Sequence, residues 1–164
     1  VFLLNKSKKF NLKLFLANVI IPLAVGGLST LLTSGNMEKY GEFKKPMLSP
    51  PDILFPIVWT ILFIIMGISS YLIVTNCKDA DEKRKSLIIY SVQLFLNFCW
   101  TLIFFNLNAF LFAFIWIILL WIAILLMILQ FRKTNRIAAY LQIPYLLWVT
   151  FAAYLNLGVY LLNR

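Results

Sequence analysis

The feature that most restricts this chain is the length of its apolar runs. Five stretches of roughly 20 residues contain almost no charge, and clusters of Lys, Arg, Asp and Glu fall between them. A helix needs about 20 apolar residues to cross roughly 30 Å of hydrocarbon. Composition agrees: the 164 residues are 62% hydrophobic and 13% charged, whereas soluble domains run near half apolar and a quarter charged. The pattern predicts an all-α membrane protein, a bundle of five transmembrane helices. A basic N-terminus (1–11) precedes one membrane domain (12–164), with helices at about 12–33, 50–75, 87–105, 109–131 and 137–162.

The net charge of +9 does not point to nucleic acid, because the basic residues sit at the ends of apolar runs, where membrane proteins keep them. Lys6, Lys8, Lys9 and Lys13 ahead of an apolar run also have the outline of a signal peptide. That run continues to about Leu32 without a small-x-small site, and it reads as a first helix that is retained. Five spans put the termini on opposite sides. The N-terminus, the loop after helix 2 and the loop after helix 4 hold eleven of the fifteen Lys and Arg residues. The positive-inside rule therefore places the N-terminus in the cytoplasm and the C-terminus outside.

Local signals mark several boundaries. Ser49-Pro50-Pro51-Asp52 has the outline of a helix start, with Ser49 as N-cap, Pro50 in the first turn and Asp52 completing a capping box. Asn106-Leu107-Asn108 leaves room only for a tight turn, so helices 3 and 4 should be antiparallel neighbours. Pro22 and Pro144 lie inside helices 1 and 5, each removing one backbone donor. Gly26, Gly27 and Thr30 would let another helix approach closely, and the same gap could admit a ligand.

The chemistry available is narrow. With no His, imidazole metal sites, Ser-His triads and the usual proximal haem ligand are absent. Cys77 and Cys99 have neither disulfide nor metal spacing. What remains is a convergence of aromatic and neutral polar stripes at helical spacing. Helix 5 carries Tyr145, Trp148, Ala152 and Asn156. Helix 2 carries Phe55, Trp59, Phe63 and Met66, and helix 3 carries Gln93, Asn97, Trp100 and Thr101. Amides in bundles also serve as interhelical glue, and Trp near helix ends as interfacial anchors. Packed together, these faces would enclose an apolar pocket with a few polar groups, the usual form of a small-molecule site. Such a lining suits a flat, apolar ligand held by ring stacking, and Lys39, Lys44 and Lys45 in loop 1 are candidates to meet ligand carboxylates at its rim. A porphyrin fits this description; a sterol fits its apolar part.

Lys45-Pro46, Ser49-Pro50-Pro51 and Phe55-Pro56-Ile57-Val58-Trp59-Thr60, then Leu96-Asn97-Phe98-Cys99-Trp100 with Phe104-Phe105, then Pro144-Tyr145-Leu146-Leu147-Trp148 with Ala152 and Leu155-Asn156, resemble the translocator protein (tryptophan-rich sensory protein, TspO) family in order and spacing. The resemblance implies a bacterial-type integral membrane receptor or carrier, often dimeric, that binds porphyrins such as protoporphyrin IX or haem as ligands rather than as cofactors. It also implies binding of benzodiazepine-type ligands and, in animal members, cholesterol. Carried over by motif, the pocket involves Tyr40, Pro50, Trp59, Phe63, Asn97, Trp100, Trp148 and Ala152. Trp59 and Trp148 match tryptophans implicated in light-driven porphyrin breakdown, so a photo-oxidative enzyme stands as an alternative, and a lipid- or sterol-interacting bundle as another. The chain departs from the family in having Lys39-Tyr40 where Trp-Tyr is common, and Trp116 where many members carry an acid.

Overall fold

The structure, a computed structural model, describes residues 10–164; the basic residues Lys6, Lys8 and Lys9 lie outside the described residues. Within that range the chain is helical, with no strand. The helices are α1 (Leu12–Tyr40), α2 (Leu54–Asn76), α3 (Ala80–Phe105), α4 (Phe110–Thr134), α5 (Arg136–Leu141) and α6 (Ile143–Leu162). The last two follow one another as a single broken span, giving five helices long and apolar enough to cross a membrane. The expected fold class is thus observed.

Several boundaries differ from those expected. Helix 1 does not stop at Thr33 but continues to Tyr40. Polar residues such as Asn36, Glu38 and Lys39 end the apolar run without ending the helix, because nothing before Gly41 interrupts the backbone ladder. Helix 3 begins at Ala80 rather than Leu87. Asp79 caps it by accepting from the Glu82 amide at 2.9 Å, and Asp81 and Glu82 complement the positive end of the helix. Much of the charged segment read as a loop is therefore the first two turns of α3. The capping box at Ser49 and Asp52 does not form. Ser49 donates instead to the Pro46 carbonyl at 2.9 Å, and Asp52 pairs with Lys45 at 2.8 Å. Helix 2 starts later, at Leu54, with no side-chain cap.

The fifth span breaks at Gln142, whose amide bonds back to Ala139 rather than one residue earlier. Pro144, two residues on, supplies no N–H and blocks a continuous ladder. At the other turn, Asn106 to Ala109 reverses the chain as expected, with Asn108 at φ 50°, a left-handed conformation that Asn tolerates.

The bundle closes in the order α2, α1, α3, α4, then α5 and α6, and α5 returns to α2. The α1–α2 crossing is close because Gly67 has no side chain: a Cβ there would lie 2.5 Å from the Val19 Cα. Helix α4 buries Ala113, Ile117, Leu120, Ile124, Met127 and Phe131 along one face and exposes Ile115, Ile118, Leu119, Ile122, Leu126 and Leu129 on the others. A helix that is apolar all round and yet half exposed belongs in lipid.

Candidate functional site

At the loop-1 end the helices part. Helix α2 packs on α5 but makes no comparable packing with α6. Between α1, α2, α3 and α6 lies a cavity of about 310 Å³, near the lower end of the ~300–1,000 Å³ typical of small-molecule sites. From α1 it is lined by Gly26, Ser29, Thr30, Met37 and Tyr40, and from α2 by Phe55, Pro56, Trp59 and Phe63. Helix α3 adds Asn97, Trp100, Thr101, Phe104 and Phe105; α6 adds Ala152, Leu155 and Asn156; Asp52 comes from loop 1. Thr30, Asp52 and Pro56 are also exposed, so the cavity reaches the surface between α1 and the start of α2.

The aromatic residues form a connected wall. Phe63 stacks on Trp59 with centroids 5.6 Å apart, Trp59 lies 6.4 Å from Trp100, and Trp100 lies 5.5 Å from Phe104. Tyr40 continues the wall at 5.6 Å from Phe104 and 5.7 Å from Phe105. Gly26 makes room for this arrangement. A Cβ at that position would overlap the Phe63 ring, so the ring rests on bare backbone.

Hydrogen bonds fix the wall and use up most of its polarity. The Trp100 indole N–H donates to Asn156 Oδ1 at 3.1 Å, and Asn156 Nδ2 donates to the Phe110 carbonyl at 2.8 Å. Asn97 Nδ2 donates to the Tyr145 hydroxyl at 2.9 Å, which donates to Gln93 Oε1 at 2.9 Å. Ser29, Thr30 and Thr101 return their hydroxyls to carbonyls of their own helices. Among the described residues, Asn97 Oδ1, Trp59 Nε1 and the Tyr40 hydroxyl remain without a hydrogen-bond partner in the lining. The interior is therefore apolar, aromatic and uncharged, with a small number of polar atoms available to a ligand.

Of the residues expected at a pocket, Tyr40, Trp59, Phe63, Asn97, Trp100 and Ala152 meet at this cavity. Pro50 and Trp148 do not belong to its lining. Trp148 faces a shallow outer groove between α2 and α6, with Val58, Ile61, Leu62, Ile65, Pro144, Leu147 and Phe151. Phe55 stands in the wall instead, its ring 5.9 Å from Trp148. Trp116 is likewise outside the lining and donates to the Leu96 carbonyl at 2.9 Å. Of the three lysines expected in loop 1, Lys39 instead lies in the last turn of α1, and only Lys45 meets the rim, bonded to Asp52 and 4.6 Å from the Tyr40 ring centroid. Lys39 and Lys44 are exposed.

Sequence reasoning left Ser29, Phe104 and Phe105 off the expected site, whereas Gly26 and Thr30, read as a gap that packing or a ligand could use, do line the cavity. The α3 stripe could have supplied Phe104, because it lies seven residues after Asn97 and four after Trp100. Loop 1 is held over this end by α6: Asn163 bonds both the amide and the carbonyl of Lys44, at 3.0 and 2.9 Å, and the Tyr154 hydroxyl donates to the Met47 carbonyl at 2.7 Å. Among the described residues, no three of Cys, Asp and Glu come together in a way that could hold a metal.

A sequence model of the TspO/MBR family matches residues 18–162. The tryptophan-rich protein TspO of Chlorobaculum tepidum is 40% identical over 124 residues, covering 76% of this chain and 78% of its own. The protein of the same name from Archaeoglobus fulgidus is 34% identical over 154 residues, 93% of this chain and 99% of its own. The translocator protein of Ovis aries is 32% identical over 139 residues, 84% of this chain and 82% of its own.

Proposed function

The chain belongs to the TspO/MBR family, and from that premise we propose that it is an integral membrane receptor or carrier that binds porphyrins in the aromatic cavity, with a role in tetrapyrrole transport or sensing. The observation that carries this reading is the wall from Phe63 through Trp59, Trp100 and Phe104 to Tyr40. Ring faces and edges of this kind favour a flat aromatic ligand over a flexible one. Because the interior is uncharged, a ligand carboxylate is expected at the rim, where Lys45 lies paired with Asp52 beside the opening. A macrocycle would enter with its apolar body against the tryptophans and its charged substituents toward loop 1, so that no unpaired charge is buried. Light-driven breakdown of the bound ring remains an alternative activity of the same site, with Trp59 in the wall and Trp148 behind Phe55.

The binding test is a titration of the purified protein with protoporphyrin, haem and a sterol. The lining holds no imidazole, so affinity rests on the ring rather than on the metal. Iron-free protoporphyrin should bind within about tenfold of haem, a difference under about 1.4 kcal/mol. A larger preference for haem would reveal an axial ligand, and failure of both porphyrins to bind would sink the reading.

We further place the N-terminal end of the bundle in the cytoplasm. It carries Lys13, Lys78, Lys83, Arg84, Lys85, Arg132, Lys133 and Arg136, against Lys39, Lys44, Lys45 and Arg164 at the other end, and positive charge is retained inside. A reporter fused after Arg164 should be silent if it works only in the cytoplasm; a cytoplasmic signal would reverse the orientation.

A further inference from the structure

Away from the cavity, the N-terminal half of the bundle buries polar atoms that no hydrogen bond within the chain satisfies. They are Ser86 Oγ, Gln93 Nε2, and both Nε2 and Oε1 of Gln142; the Tyr90 hydroxyl on the same helix has the Ser70 hydroxyl as its partner. Ser86, Gln93 and Gln142 are fully buried. Ser86, Tyr90 and Gln93 follow one another at spacings of four and three, so they share one face of α3. The next residue on that face, Asn97, lines the aromatic cavity. Gln142 stands at the break between α5 and α6, one turn before Tyr145, and Tyr145 bonds both Gln93 and Asn97.

Leaving four such atoms dry would cost a large part of the whole stability of a domain. The side chains do not complete one another. Gln93 has spent its acceptor on Tyr145 and has donors left over, while Gln142 has both kinds of atom unpaired. A ligand for this set must donate and accept at once, be small, and carry no charge, because none of these side chains offers one. Water meets all three requirements, and buried waters in proteins serve groups of this kind. Uncharged amides at membrane depth are stable where they line such a wet space.

We propose that Ser86, Gln93 and Gln142 line an internal water-binding site in the N-terminal half of the bundle. Tyr145 joins this site to the floor of the aromatic cavity, through Gln93 on one side and Asn97 on the other. The site does not depend on which ligand the cavity takes.

The test is water-edited solid-state NMR on the full chain in liposomes, with glutamine and isoleucine labelled. The chain has three glutamines, and the partly buried Gln130, next to exposed charge, is an internal wet reference, its amide bonded to Glu82. The Ile124 methyl, fully buried on α4, is the dry one. The side-chain amides of Gln93 and Gln142 should receive water magnetisation within about threefold of the time taken by Gln130, as a water within hydrogen-bond distance requires. Transfer as slow as that to Ile124 would overturn the site. A second reading comes from Gln142→Met. If Gln142 is dry, the apolar replacement relieves an unpaired amide and raises the thermal midpoint. An unchanged or lower midpoint supports bound water, and a rise contradicts it.

Discussion

At its N-terminal end the bundle is packed shut; at the loop-1 end the same helices stand apart around a cavity. The difference begins at two positions. On α2, Gly67 brings the backbones of α1 and α2 together, and Ser69 donates to the Ala138 carbonyl of α5 at 2.8 Å. Beyond Gln142 the chain leaves α2 as α6, and the space between them is spanned by rings. Closure at one end thus depends on small residues and short polar bonds, and openness at the other on large aromatic residues propped against each other. Tyr145 stands at the boundary, fully buried, with its ring 6.1 Å from Trp59 and its hydroxyl in the polar chain.

This contrast breaks first at glycine. Gly67→Leu drives a side chain into backbone that cannot step aside, and should cost ~3 kcal/mol or more, at or above the upper end for overpacking. A Cβ at Gly27 would meet nothing within 4 Å, so Gly27→Leu should leave the thermal midpoint of the ligand-free protein nearly unchanged. Equal losses at the two sites would mean that α1 is packed on its outer face as well.

A smaller effect sharpens the other side of the contrast. Trp59 is in the cavity wall and Trp148 behind it. Trp59→Leu should weaken porphyrin binding at least tenfold, whereas Trp148→Leu should weaken it about threefold at most, ~0.6 kcal/mol. Parallel titrations decide this. The reverse order would show that Phe55 yields and that ligand reaches the α2–α6 groove.

The five spans, the tight 106–108 turn and the facing stripes of α2, α3 and α6 were legible in the sequence, because lipid imposes apolar length and helices impose periodicity. The helix ends were not. Hydropathy marks where the membrane stops, and α1 runs on to Tyr40 with polar residues that a helix tolerates well. Asp79 followed three residues later by Glu82 was a readable cap for α3, hidden by the density of charge around it. Ser49 and Asp52 had the chemistry of a capping box but found nearer partners in Pro46 and Lys45, a competition that only the folded loop decides. Trp148 shares the spacing of Tyr145, Ala152 and Asn156, and periodicity alone does not reveal that Phe55 from another helix takes its place in the wall.

The most direct test of a ligand cavity is Ala152→Leu, read by porphyrin titration and by thermal denaturation of the ligand-free protein. Ala152 is 5% exposed and lines the cavity between α3 and α6. Leu there would fill space rather than displace a neighbour. Binding should fall at least tenfold, about 1.4 kcal/mol, while the melting temperature without ligand stays nearly unchanged. Normal binding, or a protein that simply unfolds, would show that the space serves helix packing and not a ligand.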